Sequence, residues 1–380
     1  MLFTAPELDE RETEVLARIE ALRETLRPQL NEPRRWPGSL RRLAFARNIQ
    51  GSNGIEGFEA ALDDAAAVAV GEEPLDATEE TRLALEGYRN AMTYVLQLAQ
   101  DGPVHVSEPL LKSLHFMMTS YDLKNRPGRW RVGAIYVRDE NTEQIVHEGP
   151  DIELVPDLMS EFIDSVSTSE QGPPVIAAAM AHLNLVMIHP FRDGNGRMAR
   201  CLQSLVLASG GTLSPVFMSV EEYLGRNTKD YYDVLAEVGG GAWHPDRDVH
   251  PWIRFILTAH LRQGVTLQRR VKVAERLWSE LEVMIGRAAL PERTLPILFD
   301  AALGLRVRSS TYRATLEDAG EELSDQTASR DLRNMVVAGL LTSSGEKRGR
   351  FYTRSASLTA AYLSIVDAGE LKDRSDPFDA

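Results

Sequence analysis

The twelve residues His189–Arg200, HPFRDGNGRMAR, lie between two apolar runs, LNLVMI (183–188) and CLQSLVLA (201–208). Both flanks read as helices buried in a core. A loop dense in polar groups is therefore held between rigid elements, which is how sites are commonly built on scaffolds. The first helix spans about 173–188 and the second about 196–208. Helical periodicity over most of the remaining chain makes the fold class mainly α.

The residue types in this loop suit a nucleoside triphosphate. Gly194 and Gly196 permit unusual backbone angles and close approach. With Asn195 they turn successive backbone N–H groups toward a phosphate at a helix start, where the dipole is favourable. Asp193 is a hard oxygen ligand for Mg²⁺, which commonly takes one carboxylate plus substrate phosphates. Arg197 and Arg200 are three apart and share a helix face, and paired arginines suit phosphate oxygens. His189 titrates near neutrality and is the candidate general base. A lone His-Pro usually only ends a helix, and a lone GNG usually only makes a turn; it is the combination at this spacing that singles the loop out. Neither GxxxxGK[ST] nor a GxGxxG after a strand occurs.

Bulk properties set outer limits. The chain has 380 residues, enough for two or three domains, with an ordinary globular composition of 43% hydrophobic and 26% charged residues. No apolar run reaches the roughly 18 residues needed to span a membrane, and MLFTAPELDERETEV lacks the apolar core of a secretory signal. A cytoplasmic location without a membrane partner is expected. The single cysteine, Cys201, excludes an internal disulfide framework and a cysteine-rich zinc site; it reads as a small core residue. A net charge of -14 argues against broad electrostatic binding to nucleic acid.

Along the chain, residues 9–27, 76–100 and 107–120 carry amphipathic helical spacing, the last with Ser107 as N-cap. Residues 128–150 hold two short β-type runs, Ala134–Val137 and Gln144–His147, separated by RDENTE, which reads as a hairpin. Helices follow near 151–167, 228–238 and 251–263. From about 286 the pattern is two helices, a turn, a third helix after Ser324-Asp325, and a two-stranded wing in LLTSSGEKRGRFYT. That is the order of a winged helix-turn-helix. The tail, 369–380, reads as flexible.

A second short stretch, SNGIEG (52–57), places Glu56 among glycines at 51, 54 and 57. Each glycine costs a helix about 1 kcal/mol relative to alanine, and the acid falls one residue too late for a capping box. Taken alone, the stretch is most simply a surface acid in a turn.

HPFRDGNGRMAR matches every position of HxFx[DE]GNGRxxR, the signature of the Fic family, and the chain resembles that family over roughly residues 50–260. The resemblance implies a Fic-type helical core with a short β-hairpin flap and transfer of AMP from ATP, with Mg²⁺ or Mn²⁺, to a Ser, Thr or Tyr hydroxyl of a target protein. It implies His189 as base, Asp193 as metal ligand, Gly194, Asn195, Gly196 and Arg197 as anion hole, and Arg200 on the γ-phosphate. Tyr231, in the pair Tyr231-Tyr232, would stack on adenine, although core packing fits it nearly as well. Ile135, Tyr136, Val137 and Arg138 of the flap would bind the target by strand addition. Gly196 stands where the phosphorylating Doc branch has lysine, which favours nucleotidyl transfer. SNGIEG resembles the inhibitory motif [ST]xxxE[GN], with Ser52, Glu56 and Gly57. There a short helix covers the ATP site, and the pair here would be Glu56–Arg200.

The expected organisation is an N-terminal helical region (1–100), a catalytic core (101–263), a linker helix (264–285), a winged-helix domain (286–368) and the tail. Thr327, Ser329, Arg330 and Arg333 would form the exposed recognition face, and Lys347, Arg348, Arg350 and Arg354 a basic wing. Ten Lys/Arg against nine Asp/Glu over 291–354 is a weak basic signal for a DNA reader. A winged-helix DNA-binding regulator whose Fic part senses nucleotide is the alternative. Modification of the protein's own hydroxyls and a homodimer stay open as partners. His182 reads as structural, and His244 and His250 with Asp246 and Asp248 as a solvated loop rather than a metal site.

Overall fold

The structure is a computed structural model that describes residues 1–31, 36–102, 104–138, 145–167, 172–209, 217, 219–317, 320–346, 349–367 and 376–378. Its helices are α1 (Glu10–Asn31), α2 (Trp36–Gly54), α3 (Leu62–Ala69), α4 (Glu79–Leu98) and α5 (Glu108–Thr119). After hairpin strands β1 (Tyr136–Arg138) and β2 (Ile145–Glu148) come α6 (Val155–Ser167), α7 (Pro174–Ile188), α8 (Asn195–Ser209), α9 (Glu221–Arg226), α10 (Thr228–Gly239) and α11 (His250–Arg287). The C-terminal part holds α12 (Leu295–Ala302), α13 (Ser309–Glu317), α14 (Asp325–Val337), β3 (Leu341–Ser344), β4 (Phe351–Arg354) and α15 (Ala356–Asp367). The fold is mainly α, with two small two-stranded sheets among the described residues.

Helix α7 is the axis. PVIAAAMAHLNLVMI is apolar on every side, and 13 of its residues are buried, as expected for a helix enclosed by others. Its strongest packing is on α8, the helix after the polar loop. Around this pair, one core gathers α1, α10 and α11 with the C-terminal helices, and a second gathers α4, α5 and α6. Ser107 caps α5 by accepting from the Leu110 N–H, as the sequence suggested.

Helix α2 was not anticipated at this length. It runs 19 residues through Gly51 and ends at Gly54. Trp36, Leu40, Leu43 and Ile49 are buried along it, and tertiary packing overrides the glycine penalty. Gly51 is required by a close crossing: a Cβ there would sit 2.5 Å from the Glu221 carbonyl oxygen, and one on Gly225 would sit 2.7 Å from Gly51 Cα. SNGIEG is therefore the last turn of a long, clamped helix and the turn after it, not a separate short helix.

One expected boundary, between residues 263 and 264, falls inside a helix. The expected helix 251–263 and linker 264–285 are one continuous helix, α11. Leu277 and Leu281 on α11 share a core with Ile297, Phe299, Tyr312 and Leu332 of the C-terminal part. That part shows three helices followed by an antiparallel hairpin, Leu341 opposite Arg354 through Ser344 opposite Phe351. It adds α15, which the sequence reading lacked. Of the outward face, Ser329, Arg330 and Arg333 are exposed and Thr327 is half-buried. Lys347 and Arg348 lie outside the described residues, as do 139–144 of the flap turn and most of the tail. Asp376–Phe378 is described, and the Phe378 carbonyl accepts from Arg11 Nη1 at 2.9 Å. Among the described residues no helix is long and apolar enough to cross a membrane.

Candidate active site

Helix α7 ends in the left-handed conformation at His189, φ 52° and ψ 56°. That position usually takes glycine or asparagine, so a histidine there stores strain of order 1 kcal/mol. Arg131 holds the turn. Its N–H donates to the Pro190 carbonyl at 2.8 Å, its Nε to His189 O at 3.0 Å, Nη1 to Gly133 O at 2.7 Å and Nη2 to Pro150 O. One guanidinium thus ties the loop after α7 to the root of the hairpin.

The His189 ring places Nδ1 3.1 Å from the Val186 carbonyl. A carbonyl only accepts, so Nδ1 carries the proton and Nε2 keeps the lone pair. Burial lowers the ring's pKa to about 4, partly opposed by the Val186 contact. The imidazole is neutral at physiological pH and able to take a proton.

Asn195 opens α8 and closes the loop on itself. Its Oδ1 accepts from Phe191 N–H at 2.9 Å and its Nδ2 donates to Phe191 O at 3.0 Å. Gly194 sits at φ 75°, and a Cβ on it would press on Thr119 at 2.9 Å. Gly194 and Gly196 thus put no side chain over this helix start, and the Glu56 carboxylate lies against Gly196. Asp193 is the one loop carboxylate. Its Oδ2 takes only long contacts from Asn125 Nδ2 (3.3 Å) and Arg197 Nη2 (3.6 Å), and its side chain is 42% exposed. A hard, half-open carboxylate of this kind fits Mg²⁺, which keeps waters and shares phosphate oxygens.

Behind Asp193 stands His115, which the sequence reading passed over. It lies flat on Phe191, centroids 3.7 Å apart and planes 3° apart. Its Nδ1 accepts from the Gly128 N–H at 2.8 Å, so Nε2 donates to the Asp193 carbonyl at 2.9 Å. Burial lowers its pKa to about 4. A lone histidine on an amphipathic helix gave no signal for this role, and neither did Arg131, which precedes the first run read as strand.

The two arginines of α8 are buried, each 1% exposed. Arg197 donates to Tyr121 Oη at 3.0 Å and lies over the Phe58 ring at 5.1 Å. Arg200 donates from Nε to Ser52 Oγ (2.8 Å), and from Nη2 to Ser52 O (2.9 Å) and Glu56 Oε1 (2.6 Å). Its Nη1 is buried without a partner. Burial opposes ionisation of Glu56, but Arg200 and Arg197 outweigh it and hold the carboxyl below its usual range. Gly57 takes φ 82° to turn the chain away. The structure thus brings Ser52, Glu56, Asp193, Arg197 and Arg200 together around the start of α8, next to His189.

The hairpin borders the same loop. Tyr136 pairs with Glu148, Val137 with His147 and Arg138 with Ile145, with an irregularity after Val137. The Ile135 carbonyl accepts from Gly149 N–H at 3.2 Å, outside the strand. Strand β2 is pinned by Glu148 N–H to Gly241 O (2.9 Å) and by His147 Nε2 to Met187 O (2.8 Å). Among the described residues β1 pairs only with β2, which leaves its outer edge open.

Tyr231 is not on the open side of the site. It is 1% exposed, packed on Trp252 and Phe255, with its hydroxyl 2.8 Å from His182 Nε2. His182 Nδ1 lies 2.6 Å from Gln203 Oε1; the ring is buried and structural, its pKa lowered by burial to about 3. The neighbouring Tyr232 is 44% exposed. Cys201 is fully buried. His250 meets Glu12 at 2.9 Å rather than Asp246, and Arg254 already bonds Glu12 and Asp9, so these acids are satisfied without a metal.

Residues 105–207 match the model of the Fic/DOC family, and the chain carries a Fic domain there. It is 26% identical over 226 residues to a protein named protein adenylyltransferase Fic from Nematostella vectensis, covering 56% of this chain and 46% of that one. It is 30% identical over 235 residues to the protein of the same name from Drosophila yakuba, covering 58% and 41%. The chain thus spans less than half the length of these relatives. A Fic family protein from Desulfovibrio desulfuricans G20 superposes with a TM-score of 0.57 at 22% identity, over 93% of this chain and 98% of that one. Fic-1 from C. elegans superposes at 0.52 with 21% identity, over 68% and 71%. At these identities the structures establish a shared fold.

Proposed function

We propose that this protein transfers AMP from ATP to a hydroxyl of a protein and that Glu56 holds the reaction in check. The observation that carries the reading is the placement of a neutral His189, with Nε2 unprotonated, beside the glycine-lined N-terminus of α8 and its two buried arginines. The names of the curated relatives support the same chemistry. A Ser, Thr or Tyr hydroxyl oxygen attacks the α-phosphorus; its proton passes to His189 Nε2. The new bond is O–Pα, and the bond from Pα to the bridging oxygen of the β-phosphate breaks, releasing pyrophosphate. The N–H groups of Gly194, Asn195 and Gly196, with Arg197, stabilise charge on the phosphates. Asp193 would hold Mg²⁺ or Mn²⁺, which supplies charge neutralisation of the phosphates when bound. The open edge of β1 suits an extended target segment laid down as a third strand; the target is another protein or this one.

Arg200 suits the γ-phosphate, but Glu56 and Ser52 occupy it. ATP then binds with its γ-phosphate displaced and its α-phosphorus out of line. The test is label transfer from ATP tagged at the α-phosphate, with γ-tagged ATP in parallel, using wild type, Glu56→Gly and Glu56→Gly/His189→Ala, alone and with cell extract. α-Label that rises with Glu56→Gly and vanishes in the double variant supports the reading. ATP binding without α-label in any variant sinks it. The exposed Ser329, Arg330 and Arg333 on α14 support duplex DNA as a second partner; salt-dependent retention lost in Arg330→Ala and Arg350→Ala would test that.

A further inference from the structure

We infer that Arg47, Arg226 and Arg270, gathered around Glu222 where α2, α9 and α11 meet, form a binding site for a phosphate-type oxyanion distinct from the loop at 189–200. Glu222 is 5% exposed. Arg270 grips it through both oxygens, Nη2 to Oε1 at 2.6 Å and Nη1 to Oε2 at 2.7 Å. Arg226 Nη2 lies 2.7 Å from the same Oε1, and Gln263 Nε2 donates to Oε2 at 3.3 Å. The carboxylate is then full.

Arg47 comes last and, among the described residues, keeps only a long ion pair. Its Nε stops 3.6 Å from Glu222 Oε1, and its side chain is 16% exposed. The groups that act on it most are Arg270, Glu222, Arg226 and the Tyr362 hydroxyl, and Glu222 is the carboxylate among them. Burial and these like charges lower its pKa to about 10. Three guanidiniums thus share one carboxylate, in a chain whose net charge is -14. Arginines in excess normally turn to solvent, because a buried charge without a partner is costly. Here the helices fix Arg47 at the crossing, while Arg226 is 66% exposed and able to turn toward a ligand. Two guanidiniums with spare donors beside a filled carboxylate suit a tetrahedral oxyanion, each taking two of its oxygens.

The site lies one helical turn before Gly51 on α2 and next to Gly225 on α9, the two glycines of the close crossing. An anion joining Arg47 to Arg226 would tie α2 to α9 directly behind Ser52 and Glu56. That consequence rests on the inhibitory role proposed for Glu56; the anion site does not.

The full chain would be melted in chloride and in inorganic phosphate at equal ionic strength, with pyrophosphate and AMP as further arms separating a free anion from a nucleotide phosphate. The wild type is expected to show a saturable rise in melting temperature. Arg47→Gln should melt no lower than wild type in chloride, since it removes an uncompensated charge, and should lose the phosphate response at least tenfold in midpoint. Arg226→Gln, an exposed change that leaves the core intact, should weaken the response as well. A phosphate response retained in both variants belongs to the loop at 194–197 and overturns the proposal. So does a marked loss of stability in Arg47→Gln in chloride, which would make the cluster a structural ion pair. α-Label transfer measured on the same samples separates the two readings: a response lost with Arg47 but without effect on transfer supports the site and removes only its link to Glu56.

Discussion

Glu56 Oε1 lies 2.6 Å from Arg200 Nη2, across 144 residues of chain. The pair joins the turn after α2 to the second turn of α8, against the backbone of Gly196. Ser52 adds two more contacts to the same guanidinium. On the function proposed above, a bound phosphate and Glu56 compete for Arg200.

Glu56→Gln keeps the volume and removes the charge. α-Label transfer should rise by about tenfold or more, since a pairing worth about 1.4 kcal/mol is already a factor of ten. The fold should lose about 1–3 kcal/mol, because the glutamine amide oxygen can still accept from Arg200 but no longer balances its buried charge. Unchanged transfer, with ATP bound, would mean that Glu56 does not limit the reaction.

Gly196 faces the plug directly: a Cβ there would overlap Glu56 Oε1 and lie 3.1 Å from Arg200 Nη1. Gly196→Ala should therefore destabilise the wild type by about 1–3 kcal/mol but cost much less in a Glu56→Gly background. The double-mutant cycle, read from chemical denaturation, should give a coupling above about 0.5 kcal/mol. Additive costs would show that the two residues do not collide.

Gly51→Ala tests the clamp on α2. Its Cβ would enter the Glu221 backbone at 2.5 Å, so the crossing must open. The expected cost is about 1–3 kcal/mol, with increased hydrogen exchange over residues 50–57 and raised basal transfer. A destabilised protein with an unchanged exchange pattern at 50–57 would separate the crossing from the plug.

Arg131→Met removes a guanidinium that bonds three carbonyls, including that of His189. Loss of one or two orders of magnitude in kcat is expected from a misplaced base, with little change in ATP affinity. Arg131→Lys should restore only part of it, since one ammonium cannot span the fork. Equal losses in ATP affinity and kcat would argue for general unfolding of the loop.

The pH dependence has a definite sign. His115 and His189 have pKa values lowered to about 4, and His182 and His260 to about 3, all chiefly by burial. Unfolded, each titrates near 6.5, so between about 4.5 and 6.5 the unfolded chain binds up to four more protons. Glu221, raised by burial to about 7, acts oppositely there and removes one. Stability should be full above pH 6.5 and fall on acidification at up to roughly 4 kcal/mol per pH unit, for a net of about three protons. Calorimetry between pH 7.5 and 4.5 checks this, and a flat melting temperature would contradict it. The acid limb of the transfer rate should lie well below pH 6, following His189.

The gathering of the loop residues was legible because it is local. In HPFRDGNGRMAR the spacing of histidine, carboxylate, glycines and arginines is set by a few consecutive residues and one helical turn, so their placement at one helix start could be read from order alone. The Glu56–Arg200 pair was legible only through the resemblance; composition read SNGIEG as a turn. His115 and Arg131 were not legible at all. Their partners are backbone atoms 50 to 80 residues away, and a carbonyl leaves no mark in a side-chain pattern.

By itself the sequence determined a mainly helical chain, the polar loop between two buried helices, the hairpin and the order of C-terminal elements, because each follows from periodicity and local residue type. Tertiary structure alone decided that the glycines at 51 and 225 permit a close helix crossing and do not loosen α2. It alone decided that Tyr231 belongs to the core through His182, that α11 runs unbroken between two expected segments, and that Arg47 shares one carboxylate with two other arginines. These depend on which helices meet and how closely, and that is settled by packing between segments far apart in the chain.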